Sequence, residues 1–243
     1  RPTKIASSRQ RVESLLREVE QDLELSLPRP VVLEGDLDSD GLRLSAEDRA
    51  WASRNVDAIL HNAASLSFES KGPGHEPWIS NVGGTEHVLE FARQMNIRQF
   101  HHVSTAYVCG LRTGNCLECE LDVGQAFGND YERSKLRAES LVHQADCLDG
   151  PTIYRPGIIV GDSQTGFSST FHGFYTPLKI VSSVVNKLDL HQFQPKSLID
   201  VLGFQGHERK NLVPVDWVSE ALVDLMHNPQ AQGSTYHLTP RET

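Results

Sequence analysis

The chain has 243 residues, 38% of them hydrophobic and 23% charged, with a formal net charge of -9. That length suits one large domain, or one domain with a small lobe, and can bury a sizeable core. The acidic balance, with both signs mixed, argues against a nucleic-acid binder, whose footprint is a basic patch.

Helical and strand signals alternate along the chain, which is the α/β pattern. Ser7 and Gln10 form a capping box ahead of a helix from about Ser8 to Leu25, striped with Val12, Leu15, Leu16, Val19 and Leu23. Pro28 and Pro30 break it. Val31 to Leu33 read as a short buried strand that runs into a loop at Gly35 and Asp36. Ser45 and Asp48 cap a second helix that runs to about Asn55. The next strand lies near Asp57 to His61 and ends in small residues, Asn62, Ala63 and Ala64. Gly72, Pro73, Gly74 and Pro77 mark a loop.

A long helix is expected from about Trp78 to Met95. Its Gly83-Gly84 pair is poor helix material, about 1 kcal/mol worse per residue than Ala. Either a close packing contact or a local kink accounts for it. RQFHHVS reads as a strand, with His101 and His102 on opposite faces. The cysteines, Cys109, Cys116, Cys119 and Cys147, are too few for a disulfide scaffold and suit a reducing, cytoplasmic setting. Cys116 and Cys119 form a C-x-x-C without the second doublet or redox context that metal or dithiol chemistry needs. A helix carrying Tyr131 runs to about Ala145, and TIYRP is a strand ended by Pro156. From Gly161 to Lys210 the pattern loosens into a lobe, with a helix near Pro177 to Leu188. LVPVDWVSEALVDLMHNP reads as strand, Asp216 cap and helix, and TYHLTP as a last strand. No apolar run reaches membrane-spanning length, and the first residues carry no signal-peptide pattern.

Strand–helix units of this length imply right-handed crossovers and a doubly wound, Rossmann-like parallel sheet. Ligands in such sheets bind beyond the strand C-termini. Asp36, Asn62 to Ala64, Thr105 and Arg155 to Gly157 all follow a strand. Tyr131 and Lys135 share a helix face one turn apart, so a phenol and an ammonium project the same way. A nearby cation favours the phenolate and makes the phenol a usable proton donor. A hydroxyl from Ser104 or Thr105 would hold a carbonyl oxygen beside it. These groups together suit carbonyl reduction.

The strings GDL, HNAA, NVGGT, HHVSTAYVCG, YERSK and YRPG resemble the extended short-chain dehydrogenase/reductase superfamily in order and approximate spacing, over nearly the whole chain. HHVSTAYVCG, NLVPVDWVSEAL and the ending TYHL are similar to its thioester-reductase branch, which includes carboxylic acid reductases and fatty acyl reductases. The resemblance implies Thr105, Tyr131 and Lys135 as the catalytic set. Tyr131 donates the proton, Lys135 tunes it and holds the nicotinamide ribose, and Thr105 stabilises the oxyanion. It implies a cofactor set of Arg1, Asp36, Leu37, Asn62, Ala63, Ala64, Asn81, Tyr131, Lys135, Pro156 and Gly157. Asp36 would meet the adenine amino group, and Asn81 would serve as a supporting polar group or pack the helix. Arg1, near a 2'-phosphate, favours NADP, with NAD possible.

One departure stands out. The family opens with a strand and a Gly-rich turn that cradles the pyrophosphate at a helix N-terminus. No such turn precedes Arg1 in this sequence, which leads us to expect a fragment that binds the dinucleotide weakly on its own. The implied reaction is NAD(P)H-dependent reduction of an acyl thioester, carried by CoA or a carrier protein, to an aldehyde or alcohol. The apolar content of the lobe, with Phe167, Phe171, Phe174 and Tyr175, favours an acyl substrate over a nucleotide-sugar one. An epimerase, dehydratase or ketone reductase of the same fold is the first alternative. A non-catalytic dinucleotide sensor is the second.

Overall fold

The computed structural model describes residues 6–68, 71–168, 175 and 210–240. Contacts divide the chain into two compact units, Arg1–His101 with Asn129–Pro151, and His102–Gly128 with Thr152–Thr243. The expected lobe of residues 161–210 falls largely outside the described residues, as does its helix near Pro177.

In the first unit, helix α1 (Ser8–Leu23) starts at the expected capping box: Gln10 N–H donates to Ser7 Oγ, and Ser7 N–H to Gln10 Oε1. It ends two residues early at Glu24, which takes a left-handed conformation. The strand expected at Val31 to Leu33 does not form, and Val31 is 58% exposed. No strand among the described residues pairs with this stretch, so its apolar residues have no ladder to join. Helix α2 (Ala46–Asn55) begins at Ser45, whose hydroxyl accepts from Asp48 N–H. Strand β1 (Ala58–His61) follows.

The long helix expected from Trp78 is two pieces. Ile79–Gly83 form a wide turn in which Gly84 N–H donates to Ile79 O, and Gly84–Met95 continue as regular helix α3. The packing contact accounts for Gly84 alone. Gly83 closes the wide turn with open space around it, and a Cβ on Gly84 would lie 3.3 Å from Leu37 Cβ. Asn96, left-handed, caps α3 by donating to Ala92 O. Phe91 of α3, Ala52 of α2 and Ile97 make the buried centre of this unit. Strand β2 (Gln99–Val103) lies beside β1, and its His101 and His102 are both buried, as expected of a strand covered on both faces. Helix α4 (Asp130–Gln144) packs on α3 and the wide turn.

In the second unit, β2 is followed across the sheet by β3 (Thr152–Pro156) and β6 (Thr235–Leu238). β3 and β6 run parallel, with Tyr154 opposite Tyr236 and Pro156 opposite Leu238. A second parallel pair joins β4 (Ile158–Val160) to β5 (Leu212–Pro214). Helix α5 (Val215–His227) buries Val218 against Tyr154, Val213 and Leu238. Asp216 does not cap α5 as expected, because Pro214 holds that position without a side-chain bond. The Asp216 carboxylate instead accepts from Ser163 N–H and Oγ. No helix among the described residues is long and apolar enough to cross a membrane.

Candidate active site

The first turn of α4 is held on several sides. Asn129 Oδ1 accepts from Glu132 N–H at 3.0 Å, the N-cap bond of the helix. Trp78 Nε1–H donates to Asp130 Oδ2 at 2.9 Å. Ser134 Oγ donates to Tyr131 O at 2.8 Å. Tyr131 itself is half-buried, and the exposed Phe68 ring meets it edge-to-face at 5.5 Å. One turn on, Lys135 is 2% exposed. Burial pulls its ammonium down to about 8, and the Glu139 carboxylate opposes that pull.

Asn81 is the junction behind this helix. It is buried, and its amide satisfies three groups at once. Oδ1 accepts from Ser65 N–H at 2.7 Å, and Nδ2 donates to Ser65 O at 3.1 Å and to Ser134 Oγ at 2.9 Å. The loop after β1 is therefore tied through Asn81 to the turn that carries Tyr131. His61, at the end of β1, is buried beside this network, its Nε2 lying 3.0 Å from Thr85 Oγ1. Thr85 Oγ1 has one proton, which it donates to Asn81 O at 2.7 Å. His61 must then donate through Nε2–H, leaving Nδ1 as the acceptor. Burial, and then the Lys135 charge, push His61 down to about 4, so its ring is neutral at pH 7.

The remaining expected residues of this unit lie in two loops. Asp36 N–H donates to Leu42 O, and the Asp36 carboxylate accepts from Asp38 N–H and sits 3.4 Å from Arg43. Leu37 packs on Gly84, and its carbonyl meets His87 Nδ1. Beside this segment a cavity of about 340 Å³ is lined by Asp38, Trp78, Val82, Gly83 and His87, among others. Asn62, Ala63 and Ala64 follow β1 directly and are exposed. Arg1 lies outside the described residues.

The second unit carries Thr105, Pro156 and Gly157. Thr105 is buried at the end of β2, where its hydroxyl accepts from Tyr107 N–H at 3.3 Å and caps a short 3-10 turn, Ala106–Cys109. Ser104 N–H donates to Tyr154 O, continuing the strand. Pro156 and Gly157 are buried, and a Cβ on Gly157 would lie 2.5 Å from Asn211 O. Arg155 is buried too, and donates to Glu120 O at 3.0 Å. Cys109 is pushed up to about 12 by burial and by contact with Cys116, which makes it a poor nucleophile.

Sequence reasoning missed Glu139, His61, Thr85 and Ser134. Glu139 carried a usable signal, since it stands four residues after Lys135 on the same helix face. Ser134 and Thr85 carried none, because the side chains they meet, Asn81 and His61, lie 53 and 24 residues away.

The family model for male sterility proteins, an NAD-binding family, matches residues 1–222. A fatty acyl-CoA reductase of Drosophila melanogaster, wat, is 23% identical over 239 residues, which cover 86% of this chain and 44% of that protein. The terminal R domain from the myxalamid PKS-NRPS biosynthetic pathway superposes with a TM-score of 0.73 and 29% identity, over 99% of this chain and 58% of that one. UDP-glucose 4-epimerase from Bifidobacterium longum, solved with NAD+ and UDP, shares the fold, with a TM-score of 0.64 and 21% identity over 92% of this chain and 66% of its own. The chain spans less than half of the fly reductase and little more than half of the R domain. It belongs to the male sterility protein family, the thioester-reductase-like, NAD-binding branch of the extended short-chain dehydrogenase/reductases.

Proposed function

We propose that the protein carrying this chain reduces an acyl thioester, held on CoA or a carrier protein, with a nicotinamide dinucleotide as the hydride source. The observation that carries this reading is α4. It presents a half-buried phenol and, one turn on, a fully buried ammonium whose charged form is already costly. A cation kept in such a place has a role other than solubility.

The residues present fit a dinucleotide. Ala63 and Ala64 leave the end of β1 free of bulk, and the Asp36 and Leu37 loop leads into Asp38, which lines a cavity of about 340 Å³. Asp36 and Leu37 would hold the adenine, Asn62 to Ala64 the middle of the cofactor, and Lys135 the ribose hydroxyls. Pro156 and Gly157 would line the nicotinamide side, and Arg1 is assigned to a 2'-phosphate, hence NADP. Asn81 would support the cofactor site by holding Ser65 and Ser134.

The bound dinucleotide supplies the hydride that reaches the thioester carbonyl carbon. Tyr131 Oη gives its proton to the carbonyl oxygen, Lys135 favours the phenolate left behind, and Thr105 Oγ1 stabilises the developing oxyanion. Loss of the thiol from the resulting hemithioacetal gives an aldehyde, and a second cycle gives an alcohol. The family match and the likeness to a fatty acyl-CoA reductase and an R domain support this chemistry. The test is turnover of acyl-CoA and acyl-carrier thioesters by the intact protein with NADPH or NADH. Tyr131→Phe should cut turnover by about 100- to 10,000-fold, and near-normal turnover in that variant would remove Tyr131 from the mechanism.

A further inference from the structure

Lys135 and Glu139 are 2% and 0% exposed, four residues apart on one face of α4. A buried ammonium without an opposing charge gives up its proton, and a buried carboxylate without one takes a proton up. Each is therefore the natural condition for the other's charge. Buried Glu132, three residues before Lys135, has its carboxylate bonded by Asn129 Nδ2, and His61 of β1, whose ring feels the Lys135 charge, cannot serve as the counter-charge. It is neutral, with Nε2–H committed to Thr85. Tyr131, on the same helix, is neutral until it gives up its proton. His101 of β2 is also buried and pushed toward its neutral form by burial. At its outer end, Glu139 Oε1 lies 3.5 Å from His143 Nε2, whose side chain is 40% exposed. The column Lys135, Glu139, His143 thus runs along two turns of α4 from a fully buried cation to solvent.

We propose that Glu139 is a positioning residue for the reaction: a buried carboxylate that holds the Lys135 ammonium in its charged form from one helical turn away. This rests on the role given to Lys135 above. Burial brings Lys135 down to about 8 even with the Glu139 carboxylate opposing it. Removing the carboxylate's charge therefore leaves a lysine that is largely neutral at working pH. A neutral amine no longer favours the Tyr131 phenolate, so proton donation weakens while substrate binding is spared.

The test is a pH titration of the intact protein labelled with 13Cε-lysine, the Lys135 resonance being identified by its loss in Lys135→Arg. Glu139→Gln should lower the Lys135 midpoint by about one pH unit or more, a tenfold or larger fall in the ammonium-to-amine ratio. Glu139→Asp should recover part of that fall. kcat should drop with KM little changed, and the pH profile of kcat should move with the NMR midpoint. An unchanged Lys135 midpoint in Glu139→Gln overturns the proposal. A midpoint that falls while the rate profile stays put leaves Glu139's hold on Lys135 intact and refutes the catalytic role of Lys135. Should Glu139→Gln fail to fold, the wild-type protein decides. Its Glu139 13Cδ resonance must show an inflection at the Lys135 midpoint, and a flat response there overturns the proposal equally.

Discussion

Replacing Lys135 by Met keeps the length of the side chain and removes its charge, and the stability of the pair of proteins should diverge with pH in a defined way. Lys135 titrates at about 8 in the folded chain, against 10.5 for an ordinary lysine. That gap corresponds to about 3 kcal/mol. Below pH 8 the folded and unfolded chains both hold the proton, and the full cost of burying it weighs on the wild type. Between 8 and 10.5 the folded chain has released the proton while the unfolded chain still holds it, so wild-type stability rises. Above 10.5 the cost is gone. The stability of Lys135→Met minus that of the wild type should therefore fall by about 3 kcal/mol from pH 7.5 to pH 10.5. The offset at pH 7 also contains the charge left on Glu139, so the slope is the quantity that tests the idea. Urea unfolding followed by tryptophan fluorescence at a series of pH values measures it. A difference that stays constant across the window would show that Lys135 titrates as a solvated lysine, and the desolvation argument would fall with it.

Other positions give sharper local tests. Asn81→Ala strips partners from Ser65 N–H, Ser65 O and Ser134 Oγ, and should cost about 2–4 kcal/mol by urea unfolding while lowering turnover. Gly83→Ala should gain about 0.5–1 kcal/mol, because a helical Cβ there meets nothing within 4 Å. Gly84→Ala should show no such gain, since its Cβ would crowd Leu37 at 3.3 Å. Asn129→Ala removes the cap of α4 and should cost about 1 kcal/mol in the same assay.

Local rules carried most of the elements. The capping box at Ser7, the cap at Ser45 and the helix of Tyr131 each depend on residues within four positions of one another, and each formed where the pattern put it. The stretch Val31 to Leu33 failed because a strand needs a neighbour, and composition does not say whether one is present. Asp216 failed as a cap because the helix starts at Val215, which puts Pro214 at the cap position and leaves the Asp216 carboxylate to Ser163, 53 residues away. Within the candidate site, the Tyr131–Lys135 spacing was legible because a helix fixes it. The amide of Asn81 was seen in sequence only as a supporting polar group or a packing residue. Its role is a clamp between the loop after β1 and α4, which pair-spacing arguments do not reach.

The wide turn at Ile79–Gly83 makes chain length, as much as residue identity, a requirement of this region. Its Gly84 N–H reaches back five residues to Ile79 O, one more than a regular helix. Deleting a single residue there would close the turn into ordinary helix and swing Asn81 by about 100° around the axis. The amide would then face away from Ser65 and Ser134, although no side chain had changed. Insertions in the adjoining loop of Gly72 to Pro77 carry no such penalty, so length variation in this part of the chain should collect there and spare the next several residues.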